Sequence, residues 1–335
     1  MALLSVILLG VTTLPSSAEE SLTGLTNVAT IPNPGKHTDS RVGMSEGLVV
    51  QMRADLDNDS KIEVVSFDLK SGTKKFIDIP AVSARVLSAD GSRVITMVSG
   101  RFFGPEALFD TRTGKKLADL PRQKAGALDS RFIFFSLAAS QLGSDTVDVT
   151  HAIYDYETKG IAKEKKQRMS MRAHRDIFGP SHLLIDQGRK VVTVKDDKKL
   201  LIWDWRSDTK VEVKAVAISN SAKLVAMEDK DKDGDESIIT VSTIDGETIH
   251  TFETELLSRF VTNLAFSPDD SFLAAVSVGK ILIFDLKSGD IIARVEREFG
   301  AEKIKRGFFA TDDPSLFGAL TYGSVKAWKL DAREK

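Results

Sequence analysis

Short runs of alternating apolar and polar residues, separated by turn-forming residues, recur along most of the chain. The segment "ILIFDLKSGDIIARV", from Ile281 to Val295, is one such unit: an apolar strand ends at an Asp, and a Lys-Ser-Gly turn leads into a second strand. A period of two residues predicts β-strands, and the turn between them predicts a hairpin. The segment "VVSFDLKSGTKKFIDI", from Val64 to Ile79, has nearly the same pattern and predicts the same hairpin much earlier in the chain.

The hairpin is repeated seven times in all, with weaker copies among the strong ones. Its turn positions are Asp68, Asp110, Asp155, Asp204, Thr243, Asp285 and Lys329, which lie 39 to 49 residues apart. In the clearest copies a further strand, a polar turn and another strand precede the hairpin, as in "NLAFSPDDSFLAAVSVGKILIFD" from Asn263 to Asp285. A period in the forties with four short strands per unit predicts a β-propeller.

The two ends of the chain predict how the ring closes. The seventh unit stops soon after "SVKAWKL" and lacks its fourth strand, while the segment from Leu22 to Pro32 has strand character and precedes the first unit. A four-stranded blade cannot bury both of its faces alone, so neighbours must stack around a ring. We therefore predict an all-β fold, a single seven-bladed propeller of four-stranded antiparallel blades over residues 19–335, closed by an N-terminal strand.

Two segments carry a resemblance to a known family. "FSPDDSFLAAVSVGKILIFDLKSGDII" and "LLIWDWRSD" resemble the strand-turn-strand and the Trp-Asp strand end of WD-repeat and YVTN-like propellers. Only Trp203-Asp204 shows the literal dipeptide, and the Gly-His pair that usually opens each repeat is missing, with His174 the nearest substitute. The resemblance therefore implies a degenerate propeller in which the family's internal His–Ser–Asp–Trp hydrogen-bond network is incomplete.

The first residues resemble a secretory signal. An apolar run from Ala2 to Leu14 is followed by Pro15 and the small residues Ser16, Ser17 and Ala18, although no Lys or Arg precedes the run. The run is too short for the roughly 20 residues that span a bilayer. A buried N-terminal strand or a misassigned start is the alternative. We predict a signal peptide over residues 1–18, an exported periplasmic or secreted protein, and no membrane span after its removal.

Composition narrows the possible functions. The formal net charge of −2 argues against a protein built to hold nucleic acid. The absence of cysteine excludes disulfides, thiolate catalysis, cysteine-ligated zinc and iron–sulfur clusters, and it leaves no residue to carry a bacterial lipid anchor.

Two acidic segments suggest calcium. "DLDNDSKIE" contains Asp55, Asp57, Asp59 and Glu63, and "DKDKDGDES" contains Asp229, Asp231, Asp233 and Asp235. Alternate carboxylates on a tight turn can supply the oxygen ligands that calcium requires, and the first segment resembles the calcium loops of integrin-type repeats. Neither ligand set is complete, so the alternative is a solvated turn. Both segments precede the third strand of a blade and should emerge on one face of the ring. Structural calcium is the only cofactor that the sequence suggests.

Three other features raise site hypotheses. The basic run of Lys163, Lys165, Lys166, Arg168, Arg172 and Arg175 either docks an anionic partner or, as we prefer, protects an edge strand from pairing. An insertion from Ala138 to Asp148 lengthens a hairpin of the third blade, and long loops often carry binding. His37, His151, His174, His182 and His250 are scattered and form no metal-binding spacing.

The leading function is a non-catalytic scaffold that binds protein partners through its loop faces as a monomeric ring. The chain contains no nucleophile elbow, phosphate-binding loop or dinucleotide-binding fingerprint. The alternative is an enzyme, since exported propellers include sugar-lactone hydrolases and subunits of quinone-dependent amine dehydrogenases that act at the central channel. A sugar-binding module is a third possibility. It would require aromatic residues on the loops, and most aromatic residues of this chain are phenylalanines within the predicted strands, so this possibility has the least support.

Overall fold

The fold was analysed in a computed structural model, which describes residues 21–32, 40–45, 47–54, 62–79, 83–98, 104–121, 125–129, 131–140, 146–170, 182–195, 199–230, 235–257, 261–296 and 303–331. Within these ranges the regular elements are 29 β-strands.

The strands follow one another in seven blades, numbered here in chain order. Two strands precede the first blade: β1 (Ser21–Thr23) and β2 (Leu25–Pro32). Blade 1 contains β3 (Ser40–Ser45), β4 (Leu48–Ala54), β5 (Ile62–Asp68) and β6 (Lys74–Ile77). Blade 2 contains β7 (Ser83–Leu87), β8 (Arg93–Met97), β9 (Glu106–Asp110) and β10 (Lys116–Asp119). Blade 3 contains β11 (Ala125–Leu128), β12 (Phe132–Ser140), β13 (Thr146–Asp155) and β14 (Gly160–Ser170).

The remaining blades repeat this order. Blade 4 contains β15 (His182–Ile185), β16 (Lys190–Lys195), β17 (Lys199–Asp204) and β18 (Thr209–Lys214). Blade 5 contains β19 (Ala217–Ile218), β20 (Leu224–Lys230), β21 (Glu236–Thr243) and β22 (Thr248–Leu257). Blade 6 contains β23 (Val261–Phe266), β24 (Phe272–Ser277), β25 (Lys280–Asp285) and β26 (Ile291–Glu296). Blade 7 contains β27 (Ile304–Phe309), β28 (Leu316–Thr321) and β29 (Ser324–Leu330).

Each blade is an antiparallel meander that runs from an inner strand at the central channel to an outer strand at the rim. The described chain forms seven such sheets, which confirms the predicted seven-bladed propeller. The predicted turn positions are also confirmed, since six of them are the last residue of a third strand and Lys329 is the last but one of β29. We call the face with the second-to-third-strand loops and the blade-to-blade loops the upper face, and the opposite one the lower face.

Apolar side chains on both faces of each blade hold the ring together. In β24, Leu273 and Ala275 pack towards blade 5, whereas Ala274 and Val276 pack towards blade 7. Among the described residues, seven buried apolar clusters of this kind each join two adjacent blades. The alternation of a strand places successive side chains on opposite faces, so a continuous apolar run is the expected signature of such a doubly buried sheet.

The N-terminal segment closes the ring and also binds a second blade. β2 pairs with β29 from Leu25 opposite Leu330 to Pro32 opposite Ser324, so it is the outer strand of blade 7, as predicted. Its Ala29 and Ile31 belong to the apolar cluster between blades 7 and 1.

β1 adds a feature that the sequence did not reveal, because it pairs with β26 as a fifth strand on blade 6. Gly24 connects β1 to β2 with a φ of 70°. A Cβ atom there would collide with the carbonyl oxygen of Ile292, so this position requires glycine.

The tight turn after the third strand explains the repeated "DLKSG" phrase. In blades 1 and 6 the Oδ1 atoms of Asp68 and Asp285 accept the N–H groups two and three residues further on, at 2.7 to 3.2 Å. Gly72 and Gly289 then adopt positive φ angles of 69° and 80° and donate their N–H groups back to the Asp carbonyls. The Asp side chain and the glycine are therefore both needed to form the turn.

We predict that the N-terminal strands contribute unequally to stability. A chain beginning at residue 33 loses the buried Leu25 and Ile31 side chains, worth roughly 3–6 kcal/mol together, and leaves β29 with an open edge. A chain beginning at residue 25 loses the three residue pairs of β1 with β26 and the hydrogen bond from the Asp331 N–H to the Gly24 carbonyl. Urea unfolding of both, compared with the chain beginning at residue 19, measures the difference. Equal stability of all three chains would show that ring closure does not depend on β2.

We also predict opposite effects of glycine at two matched turn positions. Lys159 in blade 3 and Asp208 in blade 4 occupy the glycine position with φ angles of 54° and 59°. Lys159→Gly should stabilise the protein by up to about 1 kcal/mol, because the left-handed strain of a side chain exceeds the added flexibility of the unfolded chain. Asp208→Gly should destabilise it, because Asp208 also bonds Trp203 and Lys165. Thermal unfolding tests the sign of each change, and the same sign in both variants would contradict this reading.

Candidate interaction surface

The lower face is tied together by hydrogen bonds between its turns. In each of the seven blades of the described chain, a backbone N–H at the end of the third strand or just after it donates to a carbonyl near the first-to-second-strand turn. The donors are Leu69, Thr111, Tyr156, Trp205, Ile244, Leu286 and Leu330. Bonds between neighbouring blades add to these, including Met44 N–H to the Ala89 carbonyl and Thr311 N–H to the Met44 carbonyl. The lower face is therefore a fixed frame whose polar groups are largely used within the fold.

Arginine–aspartate pairs replace part of the hydrogen-bond network that the family resemblance implied. Arg93 pairs with Asp110 at 3.0 Å, Arg131 with Asp155 at 2.6 Å and Arg189 with Asp204 at 3.0 Å. In each pair, the arginine lies at the start of the second strand or just before it, and the aspartate ends the third strand of the same blade. The Arg131 side chain is the main cause of the lowered pKa of Asp155.

Trp203 and Trp205 make other contacts than the Trp-Asp motif implies. Trp203 Nε1 donates to Asp208 at 2.9 Å, and Lys165 from the outer strand of blade 3 holds the same carboxylate at 2.7 Å. Hydrogen bonding to Lys165 is the main cause of the lowered pKa of Asp208. Trp205 Nε1 donates to the carbonyl of Gly188 at 2.6 Å. These side chains join blades 3 and 4 and have a structural role.

The upper face presents its exposed side chains around the mouth of the channel. Arg41 in β3, Leu183 in β15 and Arg306 in β27 are exposed at the upper ends of inner strands, and exposed Val216 immediately precedes β19. Tyr322, in the turn between β28 and β29, is 60% exposed. Because neighbouring blades cover the faces of each sheet, an exposed side chain at the upper end of an inner strand borders the channel.

The mouth contains a contact between a cation and an aromatic ring. Lys305, which precedes Arg306 in β27, places its Nζ atom 4.0 Å from the centre of the Tyr322 ring. A β-bulge between Ile304 and Arg306 in the pairing with β28 accommodates Lys305. Bulges re-aim side chains without ending the strand, so this one explains how consecutive basic residues both reach the mouth.

Most of the predicted calcium ligands lie outside the described residues. These are Asp55, Asp57, Asp59, Asp231 and Asp233. Glu63 lies in β5, Asp229 in β20, and Asp235 just before β21, all at upper ends of strands, which agrees with the expected common face. Among described side chains, no group of three or more possible metal ligands is found. Calcium binding therefore stays a prediction.

The basic run forms most of the outer strand of blade 3. Lys165 forms a salt bridge with Asp208. Lys166 Nζ lies 3.8 Å from Glu164 Oε1, and Arg168 Nε lies 3.7 Å from Asp148 Oδ1. Lys163 is in the same strand β14, whereas Arg172 and Arg175 lie outside the described residues. Its position at a sheet edge agrees with the preferred reading of edge protection.

The insertion in blade 3 contributes strand more than loop. β12 and β13 remain paired up to Ser140 opposite Val147, so only residues 141–145 of the insertion lie outside the described strands. Of the histidines, His151 is buried, stacks on Phe134 and lies close to Trp203, and His250 Nε2 is 2.7 Å from the carbonyl oxygen of Leu286. His37 and His174 lie outside the described residues, and only the backbone of His182 is described.

A cavity of about 280 Å³ lies apart from the channel mouth, between the outer strand of blade 4 and the middle strands of blade 5. Val213, Met227, Thr240 and Ile244 are among the residues that line it. Its volume is just below the range of about 300–1,000 Å³ that is typical of small-molecule sites.

Sequence reasoning did not identify the residues of the mouth. Arg41 and Arg306 belong to opposite ends of the chain, and they lie on neighbouring blades only because blade 7 packs against blade 1. The sequence does contain a signal for these two residues, because both are basic residues near the start of the first strand of a repeat. An alignment of the repeats by their inner strands places both residues near the channel mouth.

Comparisons with known proteins support the fold but do not indicate a function. No protein-family model matches the chain, and no curated protein matches it. Among solved structures it is similar to the β-propeller domain of Cps50 (Swd1) from Myceliophteria thermophila. That match has a TM-score of 0.54 and 14% sequence identity, and it covers 91% of this chain and 99% of the other. The expected likeness to propellers is thus confirmed for the fold.

No helix in the described part of the chain is both long and apolar enough to cross a membrane.

We predict opposite pH dependences for two lower-face carboxylates. Arg131 lowers the pKa of Asp155, so this carboxylate stabilises the fold above the unfolded-state pKa of about 3.9, and the contribution is lost as the pH falls through the native value. Asp155→Asn should therefore destabilise the protein at pH 7 and destabilise it less at pH 3.

Asp129 is the matched control. Burial raises its pKa, so its ionisation opposes folding at neutral pH and ceases to do so as the pH falls through the raised value. Relative to the wild type, Asp129→Asn should then be more favourable at pH 7 than at pH 3. Urea unfolding at both pH values gives each difference, and identical pH profiles for the two variants would contradict the assignment.

Proposed function

We propose that this chain is an exported, non-catalytic scaffold that binds protein partners through its loop faces, principally at the upper mouth of the channel. One observation carries the proposal: Tyr322, Leu183, Val216 and the arginines Arg41 and Arg306 are exposed together on strands or tight turns of a closed ring. Tyrosine and arginine are enriched at the energetic centres of protein interfaces, and exposed aliphatic side chains supply the area that partners bury.

The rigidity of the frame supports this proposal. Inner strands are held by apolar clusters on both sides and by the turn-to-turn hydrogen bonds of the lower face. Binding to a preorganised surface loses less conformational entropy than binding to flexible loops, so a modest number of contacts suffices for specificity.

Export is the second part of the proposal. It rests on the apolar run from Ala2 to Leu14 and on the small residues that end at Ala18, all outside the described residues. In this proposal the working protein begins at Glu19 and is a monomer, because the strands of a single chain provide every blade of the ring.

The experiment is affinity capture from the envelope or secreted fraction of the native host, with the chain beginning at Glu19 as bait. The variants are Tyr322→Ala with Leu183→Ser at the mouth and, as a matched control, Phe76→Ser on the outer strand of blade 1, where Phe76 is 59% exposed. We expect a protein that co-purifies in stoichiometric amount with the wild type and with Phe76→Ser, but not with the mouth variant.

Two results would contradict the proposal. One is equal capture by all three baits, which would place binding away from the mouth. The other is turnover of a small molecule, such as a sugar lactone, by the purified chain without a partner, which would favour the enzyme class. Melting temperatures within a few degrees of the wild type are required of each variant, so that loss of capture is not loss of fold.

A further inference from the structure

In blades 6 and 7, the two residues of the outer strand that face the next blade are buried. In blade 6 they are Ala293 and Val295, which are exposed to 1% and 0% and belong to the apolar cluster between blades 6 and 7. In blade 7 they are Ala29 and Ile31, which belong to the cluster between blades 7 and 1. Burial of both positions is therefore the mark of a closed junction between two blades.

The outer strand of blade 4 carries valines at the same two positions, but its junction with blade 5 is open. Val211 and Val213 pair with β17 in the register in which Ala293 and Val295 pair with β25, counted from the Asp that ends each of these third strands. Val213 packs against the cluster between blades 4 and 5, whereas Val211 is 46% exposed. Apolar surface that is buried in blade 6 therefore remains in contact with water in blade 4.

A shorter turn in blade 5 explains the opening. In blades 1, 2 and 6 the N–H of the Asp that ends the third strand donates to a carbonyl five residues further on, whereas in blade 5 the Thr243 N–H donates to the Glu247 carbonyl, four residues on. The longer turn of blade 6 reaches blade 5, since a Cβ atom on Gly289 would lie 3.3 Å from His250 Nδ1. A Cβ atom on Gly246 in the shorter turn would meet no described atom within 4 Å apart from its chain neighbours, so this turn stands away from blade 4.

The cavity of about 280 Å³ between blades 4 and 5 is the inner part of this opening. Val213 lines it on one side, and Met227 of β20 and Thr240 of β21 line it on the other. Val211 lies two residues from Val213 and therefore on the same side of β18. We call the cavity and the exposed Val211 beside it the rim cleft.

The rim cleft borders the outer edge of β18, with which no strand of the described chain pairs. In blade 6 the corresponding edge is covered by β1, which pairs with β26 through three residues and puts Leu22 opposite Val295. Leu25, which follows β1, is buried in the cluster between blades 6 and 7. The chain thus closes one such junction with an extended segment, and an unpaired strand edge is a template for adding another.

The two sides of β18 define which segment fits. On the side away from the rim cleft, Glu212 forms an ion pair with Lys199 at 3.2 Å, and Lys210 Nζ lies 5.8 Å from the centre of the Trp203 ring. Side chains of an added strand alternate in the same way as those of β18, so every second one meets the valines and the others meet charged groups or water. The segment that fits is therefore extended and alternates apolar with polar residues.

The occupant at blade 6 is a single strand and not the edge of a second sheet, since β1 pairs only with β26 within the described chain. We propose that the rim cleft binds an extended segment of a partner protein, which adds to β18 as a fifth strand and packs an apolar side chain against Val211 and Val213. Main-chain hydrogen bonds supply affinity in this mode, and alternate side chains supply specificity. The inference goes beyond the proposed function and uses none of the residues of the channel mouth.

The test is fluorescence anisotropy on the chain beginning at Glu19, with a fluorescein-labelled nine-residue peptide in which valine and threonine alternate between terminal glutamates. A matched peptide replaces the valines with serine, and two others carry N-methyl groups on the valines or on the threonines. The variants are Val211→Ser, Val211→Ile and, as a control, Phe76→Ser, which removes an exposed apolar side chain from the outer strand of blade 1. Hydrogen exchange of β18 is measured with and without the peptide.

The wild type, Val211→Ile and Phe76→Ser should bind the alternating peptide equally, and Val211→Ser should bind it about tenfold more weakly, since burial of a valine contributes at about this level. The serine peptide should also bind more weakly than the parent peptide. Only one of the two N-methylated peptides should lose binding, because only alternate N–H groups of an added strand point towards β18. The bound peptide should slow the hydrogen exchange of β18 amides.

Three results would overturn the inference: no binding of the alternating peptide to the wild type, equal binding to Val211→Ser, or equal effects of the two patterns of N-methylation, which would indicate adsorption without strand pairing. Self-association of the chain alone that is lost in Val211→Ser would identify a second copy as the occupant and would also reject the partner segment. The mouth variant, Tyr322→Ala with Leu183→Ser, should bind the peptide like the wild type, so failure of the capture experiment and failure of this one are distinguishable.

Discussion

Burial of both faces of every blade is the constraint on which the rest of this structure depends. A sheet whose alternate residues pack against different neighbours has no stable solvent-facing side, so each blade needs a partner on its left and on its right. An open row of such blades would leave two apolar faces in water. Closure of the ring removes both, and it does so by moving β2 from the start of the chain to the last blade.

Closure also explains why the two ends of the channel differ. On the lower face, short turns approach one another and bond, and their carboxylates are used by turns and by arginines such as Arg131. On the upper face, the inner strands begin, and several side chains near these ends are exposed beside the channel. Charged and aromatic residues there, including Arg306 and Tyr322, are consequently left to meet solvent or a partner.

The repeated pattern made the architecture predictable, because a hairpin turn such as Asp68 to Gly72 is formed by residues that are adjacent in sequence. Each turn requires an Asp side chain and a glycine at fixed positions, so each copy leaves the same pattern in the sequence. Closure by an N-terminal strand followed from counting strands, although the closing strand begins at Leu25 and not at the predicted Leu22. The pairing of β1 with blade 6 was not predictable, since three residues carry almost no periodic signal. The pairs of arginine with aspartate and the placement of Arg41 and Arg306 on neighbouring blades depend on how strands and blades are arranged in space, and no short sequence window contains that information.

The donated strand has a consequence for how molecules of this protein meet during folding. Residues that pair across the seam are very far apart in sequence, as in the hydrogen bond from Thr26 to Asp331. Until that contact forms, β29 has an open edge, and the N-terminal strand of a neighbouring molecule matches it as well as the chain's own strand does. Closure within one molecule therefore competes with strand exchange between molecules. Protein concentration during refolding sets the balance, with exchanged chains favoured when molecules are crowded together.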